Sequence, residues 1–224
     1  MGALRTPWRE ERSVQSLKGP KVGRIVRALC DFSPPLGVRQ LADRVQTDPG
    51  YASRVLAFLE REDLIERQSR GPVTNVGWQG LIRRWTEDYS VLDSNRMSSY
   101  LEPRGLNSLL EKLGDTNLRY AVTGSLGAAN VAFVAPSRLA ICYVDDPKSA
   151  ASDLGLRSVE SGANVMLAEP FDPVVYERTW EQDGVTFAAL SQIAADLLTS
   201  PGRGPAEADE LLDWMAKNEA AWRS

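Results

Sequence analysis

Apolar side chains in the first quarter of the chain recur at the spacing of amphipathic helices. From Val22 to Leu29 they fall at i, i+3, i+4 and i+7, which predicts a first helix. The same spacing over residues 38–45 predicts a second, shorter helix. A third helix is predicted from Asp48, a suitable N-cap that is followed by a proline, to about Glu62.

A β-ribbon is predicted directly after these helices. Residues 64–68 alternate like a strand, residues 69–72 are typical of a turn, and residues 73–76 can return as the partner strand. Short helices joined by a tight turn and followed by a β-ribbon make up the winged helix-turn-helix arrangement.

A trailing helix is predicted from about Gly77 to Tyr89, because the apolar residues from Trp78 to Trp85 again follow the helical spacing. This pattern is compatible with a dimerisation helix, with a helix that joins two domains, and with simple packing in the core.

The C-terminal half alternates predicted strands and helices, which is typical of an α/β module. Asp183-Gly184 is a hairpin-type turn between the last two predicted strands. The expected strands cover residues 120–122, 139–144, 165–168, 174–176 and 185–187, and the expected helices cover 106–113, 191–198 and the region from Ala208 onward.

These elements predict an α+β chain with an N-terminal winged helix-turn-helix and a small α/β domain after it. The expected organisation is a flexible N-terminal arm over 1–20, a winged-helix domain with its trailing helix over 21–90, a linker over 91–104 and the α/β domain over 105–224.

The distribution of charge supports two modules. Up to Thr86 the chain has 15 Lys and Arg against 9 Asp and Glu, and beyond it 11 against 21, so the net charges are +6 and −10. A basic first part indicates a polyanionic partner, although surface charge can also drift along a chain without function. The chain has no histidine and two cysteines, Cys30 and Cys142, in apolar surroundings. These counts exclude a Ser-His-Asp triad, make a structural zinc site improbable and indicate buried thiols in a reducing cytosol.

The stretch from Gly37 to Arg67, with Leu41-Ala42, Ser53–Leu56 and Asp63–Arg67, resembles winged-helix transcription regulators of the MarR-like group. The resemblance implies that the third helix reads the major groove with its N-terminal residues and that the wing contacts the DNA backbone or minor groove. A solvated helix face is the alternative for its single arginines. The expected DNA-binding residues are Arg39, Gln40, Thr47, Gly50, Tyr51, Ser53, Arg54, Arg61, Arg67, Gln68, Ser69 and Arg70.

A strand that runs into Gly124-Ser125 resembles the nucleotidyltransferase superfamily of polymerase-β type. The resemblance implies a vestigial phosphate site at Gly124, Ser125 and Arg138. It also implies a pair of metal-binding carboxylates on the next strand, but Arg138 and Ala140 stand there instead. Asp145-Asp146 come only at the end of that strand, where adjacent residues point to opposite faces, and Asp146 is better suited to a turn or a helix cap. No catalytic residue and no metal ligand is therefore expected.

The C-terminal region resembles abortive-infection antitoxins of the AbiEi type, on the residues Gln192, Asp196, Gly202-Arg203-Gly204, Glu207-Ala208, Leu211 and Trp214. The resemblance implies a type IV antitoxin that represses its own operon and opposes a nucleotidyltransferase toxin without a stable complex. Arg203 is expected to pair with Asp196, Glu207 or Asp209.

The sequence as a whole predicts a DNA-binding transcriptional regulator in the cytoplasm, and not an enzyme. Its expected partners are operator duplex DNA, which it could bind as a dimer, and a cognate toxin. No cofactor and no membrane partner is expected. A metal-dependent nucleotidyltransferase acting on a nucleotide or RNA is the alternative function.

Overall fold

The computed structural model describes residues 14–69 and 71–224 of the chain. The first part of it, which we call the N-terminal unit, comprises four helices and a two-stranded antiparallel ribbon: α1 (Pro20–Asp31), α2 (Val38–Arg44), α3 (Pro49–Arg61), β1 (Ile65–Arg67), β2 (Val73–Val76) and α4 (Trp78–Trp85). These elements confirm the helices and the ribbon predicted from the spacing of apolar residues. Asp48 caps α3 as predicted, since its Oδ1 accepts the backbone N–H of Tyr51 at 2.9 Å.

The second part, which we call the sheet unit, is built around a mixed sheet of seven strands. Its elements are α5 (Val91–Ser94), β3 (Arg96–Leu101), α6 (Leu106–Gly114), β4 (Tyr120–Thr123), α7 (Gly124–Ala128), β5 (Ala140–Val144), α8 (Pro147–Asp153), β6 (Arg157–Ser158), β7 (Val165–Glu169), a 3-10 helix (Pro173–Tyr176), β8 (Trp180–Gln182), β9 (Val185–Phe187), α9 (Leu190–Leu198), α10 (Gly204–Lys217) and α11 (Glu219–Trp222).

The strands lie in the order β6-β3-β7-β5-β4-β9-β8, and the pairs β5–β7 and β4–β9 are parallel. Side chains alternate between two cores. One face of the sheet packs with α6 and α8, while Ala121, Tyr143 and Ala168 face α9 and α10. The fold is therefore a mixed α and β structure with helices on both faces of the sheet.

The predicted linker over residues 91–104 is wrong, because β3 lies inside the sheet. It pairs antiparallel with β7 from Arg96–Glu169 to Tyr100–Val165, and its other edge pairs with β6. The segment is polar in sequence because most of its side chains are only half buried. Its partners lie more than fifty residues further along the chain, so no local pattern identifies it.

The predicted strand over residues 174–176 is also wrong. Asp172 caps this segment by accepting the N–H of Val174 at 2.9 Å, and Pro173 starts a 3-10 helix. The hairpin partner of β9 is β8 instead. The turn at Asp183-Gly184 is confirmed, and both residues have the positive φ angles, 52° and 76°, that a tight hairpin turn requires.

The two units share one hydrophobic core, since α1 and α4 both pack against α9. The side chains of Trp78, Leu81, Ile82 and Trp85 are all buried within the chain, so the apolar side of the trailing helix packs in the core. Of the predicted N-terminal arm, residues 1–13 lie outside the described residues. The arm ends earlier than predicted, because Leu17 is fully buried and donates its N–H to Asp88.

Both cysteines are free and buried, as predicted. Burial raises the pKa of the Cys142 thiol to about 12, and it also raises that of Cys30. Neither thiol is therefore activated as a nucleophile.

Candidate nucleic-acid interface

Much of the basic charge of the first 86 residues is used inside the protein. Arg24 binds Asp172 through Nε at 3.0 Å and Nη2 at 2.8 Å, and Arg83 pairs with Asp209 at 2.6 Å. Both ion pairs join the N-terminal unit to the acidic sheet unit. Arg84 is paired within its own neighbourhood, with Glu62, Glu87 and Asp88. The charge asymmetry of the sequence is therefore partly an internal attraction between the two units.

The exposed side of α3 retains unpaired basic charge. Gly50, Arg54, Ala57 and Arg61 are spaced so that they lie along one side of the helix, and each is exposed or half-exposed. In the part of the chain that the structure describes, Arg54 and Arg61 form no ion pair, and neither does Arg39 in the exposed first turn of α2. The guanidinium of Arg54 lies 5.8 Å from the ring of Tyr51. These residues form the candidate nucleic-acid interface.

Other residues that were predicted to contact DNA lie near the N-terminal ends of α2 and α3. Gln40 is exposed beside Arg39, while Tyr51 and Ser53 are half-exposed near the start of α3. Thr47 is half-exposed, but its hydroxyl is buried without a hydrogen-bond partner among the described residues, so this hydroxyl is not positioned to contact DNA.

The β1–β2 ribbon differs from the prediction at Arg67. Its side chain is only 3 % exposed and lies 3.8 Å from Glu60. Its Nε and Nη2 donate to the carbonyl oxygen of Gly71 at 3.3 and 3.2 Å. Arg67 therefore closes the turn of the ribbon, and the prediction that it contacts DNA is wrong. Gln68 and Ser69 are exposed at the tip, and Arg70 lies outside the described residues.

A buried polar cluster is centred on Arg27, whose side chain is 1 % exposed. Arg27 binds Asp31 within α1, at 2.9 Å from Nη2. It also reaches the sheet unit, where it donates to Ser191 Oγ at 2.9 Å, to Gln192 Oε1 at 2.9 Å and to the carbonyl oxygens of Val174 and Glu177. Ser191 in turn donates to Asp31.

Asp196 is the second centre of this cluster and is completely buried. Its carboxylate accepts hydrogen bonds from Thr123, Tyr89, Tyr143 and Gln192 at 2.5–2.8 Å. Desolvation raises the pKa of Asp196, and it raises those of Tyr89 and Tyr143 well above their usual range. These hydrogen bonds connect β4, β5, α9 and the segment after α4. Each of the four donors has an acceptor, so the cluster is suited to a structural role.

The predicted phosphate site is brought together only in part. Ser125, Arg138 and Arg203 line one cleft of about 200 Å³. The hydroxyl of Ser125, however, donates to the carboxylate of Glu207, which also pairs with Arg203 at 3.2 Å. This contact identifies Glu207 as the partner of Arg203 among the three that the sequence left open.

The negative charge of Glu207 beside Ser125 disfavours a phosphate at this turn. Gly124 is buried at the start of α7, with a φ of 67° that favours glycine. Asp146 caps α8 as predicted, accepting the N–H groups of Lys148 at 2.8 Å and Ser149 at 3.1 Å. Across residues 14–69 and 71–224, no three His, Cys, Asp or Glu side chains are grouped to hold a metal ion.

Comparisons of the chain with protein-family models, with curated proteins and with solved structures found no match. None of the described helices combines the length and the apolar character that crossing a membrane requires.

Sequence reasoning missed Arg27, Tyr89 and Tyr143, the residues around which the buried cluster is built. Arg27 lies off the apolar side of α1, where a side chain is usually solvated, so the local spacing gives no signal of its burial. The partners of Arg27 in α9 follow it by more than 160 residues, so only the fold reveals them.

Proposed function

We propose that this protein is a sequence-specific DNA-binding transcriptional regulator. In this proposal α1–α3 and the β1–β2 ribbon act as a winged helix, with α3 as the recognition helix in the major groove. The observation that carries the proposal is the unpaired basic side of α3. Among the residues that the structure describes, Arg54 and Arg61 form no ion pair, whereas Arg24, Arg27, Arg83 and Arg84 pair with carboxylates of the same chain.

The first turns of α3 have the chemistry that base reading needs. A guanidinium such as that of Arg54 can donate two parallel hydrogen bonds to guanine O6 and N7. Gly50, one turn earlier, has no side chain to hold the helix away from the DNA backbone. Arg39 and Arg61 can contact phosphates on either side and fix the orientation of the helix.

Binding to duplex DNA should be steeply salt-dependent. Neutralising about four phosphates predicts a loss of affinity on the order of a hundredfold between about 50 and 200 mM salt. Fluorescence anisotropy with a labelled duplex measures this dependence. Replacing Arg39 and Arg61 together with alanine should lower the slope by about two.

A matched control for that titration is the double variant Arg104→Ala/Arg157→Ala, which removes the same charge from exposed positions of the sheet unit. It should leave the salt slope unchanged. Absence of binding by the unsubstituted protein at low salt, or equal effects of the two double variants, would contradict the proposed interface.

We further propose that the regulator is an autorepressing antitoxin of type IV, with a sheet unit of nucleotidyltransferase-like ancestry. The support is the resemblance at Gln192, Asp196, Arg203 and Glu207 and the roles of these side chains. Gln192 and Asp196 join α9 to the sheet, and Arg203 with Glu207 occupies the hydroxyl of Ser125. The Gly124-Ser125 turn is present, but the hydroxyl of Ser125 is bound by the carboxylate of Glu207. This arrangement is compatible with descent from a nucleotidyltransferase that lost its catalytic activity.

The antitoxin proposal predicts that a nucleotidyltransferase toxin gene lies beside this one, and that co-expression of this protein restores the growth that the toxin alone arrests. The toxin and this protein should not co-purify, because a type IV antitoxin acts without a stable complex. The Arg39→Ala/Arg61→Ala variant is the control that separates DNA binding from toxin neutralisation. It should bind DNA more weakly and still restore growth. Arrested growth despite expression of the folded protein would contradict the antitoxin proposal.

Nucleotidyl transfer by the sheet unit is the alternative function. Two-metal phosphoryl chemistry needs carboxylates that converge on one point. Asp146 is engaged in capping α8, and Ser125 is engaged with Glu207. These contacts favour the regulator over the enzyme.

A further inference from the structure

A polar cleft lies between the helix-turn-helix segment and the sheet unit. One wall is formed by α1, by the end of α2 and by Val45 and Gln46 in the turn that follows α2. The other wall is the segment from Asp172 to Arg178. The cavity has a volume of about 230 Å³. The residues of the proposed DNA interface do not line it.

Arg44 is the available donor in this cleft. Its guanidinium carbon lies 3.7 Å from the centre of the Phe32 ring, and the residue forms no hydrogen bond or ion pair with any other described residue. Stacking on a ring fixes the plane of a guanidinium and leaves its in-plane N–H groups free. Arg44 is therefore oriented by Phe32 without having its donors occupied.

The other arginines of the cleft already donate hydrogen bonds to acceptors of the protein. Arg24 is held by Asp172, and Arg27 by Asp31 and its partners in α9. Arg178 lies 4.9 Å from the same Phe32 ring, but it donates to Ser224 Oγ at 2.7 Å and to the carbonyl oxygen of Trp222 at 3.0 Å. One arginine is thus open to a ligand.

The charge and polarity of the walls define the ligand further. The four arginines face three carboxylates, those of Asp31, Asp172 and Glu177, so a single positive charge remains and suits a monoanion. Ala28, Val45 and Val174 supply apolar surface beside it. A carboxylate accepts two N–H groups of one guanidinium, and an apolar body can rest on these side chains.

We propose that this cleft binds a small organic carboxylate with an apolar body, and that Arg44 binds its carboxyl group. The cavity is smaller than the sites that bind drug-sized molecules, which limits the ligand to a few carbon atoms or a single ring.

Occupancy of the cleft is expected to change DNA affinity, and this second step rests on the proposed function. Val45 and Gln46 belong to the turn between α2 and the proposed recognition helix. A ligand that contacts both this turn and the 172–178 segment stabilises one position of the turn relative to that segment. Because α3 follows the turn directly, the ligand also favours one position of α3.

Benzoate is a suitable probe of the cleft, and benzamide is its neutral isostere. In isothermal titration calorimetry benzoate should bind saturably with one site per chain, and benzamide should not. Arg44→Gln should weaken benzoate binding by about tenfold or more, because it removes the charge-assisted hydrogen bonds. The benzoate affinity of Arg44→Lys should lie between those of the unsubstituted protein and Arg44→Gln, since lysine keeps the charge but lacks the planar pair of donors.

Arg157→Gln is the control, because it removes an exposed arginine at the edge of the sheet and should leave benzoate binding unchanged. Circular dichroism verifies that each variant is folded, which is expected for exposed residues. Absence of benzoate binding by the unsubstituted protein, or binding that survives Arg44→Gln, overturns the proposal.

The DNA readout separates this inference from the proposed function. Saturating benzoate should shift the dissociation constant for duplex DNA in the unsubstituted protein and not in Arg44→Gln. Benzoate binding without that shift rejects the coupling and retains the ligand site. Absence of DNA binding under any condition rejects the proposed function, while calorimetry still decides the site.

Discussion

Replacing Arg27 with alanine should lower the free energy of unfolding by about 3–5 kcal/mol. The substitution removes the cation from a cluster in which Asp31 is 3 % exposed. The Asp31 carboxylate would then remain buried without its positive partner, and Gln192 and two carbonyl groups would lose a donor. Because these contacts join α1 to the sheet unit, the loss should weaken both units together. Urea denaturation followed by circular dichroism measures the effect.

Arg83→Ala is the matched control for this experiment. Arg83 also pairs across the two units, with Asp209, but the two side chains are 52 % and 61 % exposed. Solvent screens such a pair, so its loss should cost no more than about 1 kcal/mol. The double variant Arg27→Ala/Asp31→Ala should recover part of the stability, since it removes the uncompensated charge. Equal small effects of Arg27→Ala and Arg83→Ala would show that the buried cluster does not stabilise the fold.

Arg54→Ala should weaken binding to the specific DNA site by about 1–3 kcal/mol and leave non-specific binding nearly unchanged. Such a difference is expected if Arg54 reads a base edge, because a base contact contributes only on the correct sequence. The specific duplex is one that the unsubstituted protein selects from a random pool. Anisotropy titrations on this duplex and on a scrambled duplex of the same length give the two free energies.

Arg61→Ala provides the comparison, because Arg61 lies two helical turns further along the same side of α3. At that distance from the helix start it is expected to meet phosphate, so it should weaken both duplexes alike. Equal losses on the two duplexes for Arg54→Ala would make Arg54 a backbone contact and leave base reading to other residues of α3.

Local elements could be predicted well because their causes are local. The cap at Asp48 and Pro49 fixes the start of α3, and the Asp183-Gly184 turn fixes a hairpin. Apolar spacing then locates the helices of the N-terminal unit to within a few residues. Each of these features depends on residues fewer than about ten positions apart, and the chain carries that information in its order.

Long-range pairing could not be predicted in the same way. The polar segment β3 is a strand because it pairs with β7. Val174 and Val175 favour a strand in the sequence, but they lie in the 3-10 helix that starts at Pro173. A half-buried strand among polar residues has no distinctive spacing. Its hydrogen bonds to a distant strand, and not its own composition, determine its structure.

The candidate interface illustrates the same division. The sequence identified α3 and its exposed arginines, since a residue off the apolar side of a helix is usually solvated. It could not distinguish Arg54, which forms no ion pair with any described residue, from Arg67, which turns inward to Gly71 and Glu60. The direction of a long side chain depends on which acceptors the fold brings within reach.

The sequence by itself determined the helices of the N-terminal unit, the ribbon after them, the two buried thiols and the surplus of basic charge. Only the tertiary structure decided how that charge is used. It paired Arg24, Arg27 and Arg83 with the sheet unit and left Arg44 open in a cleft between the two units. The reason is physical: helix spacing and capping act between neighbours in the chain, whereas an ion pair forms between whichever opposite charges the folded chain brings within a few ångströms.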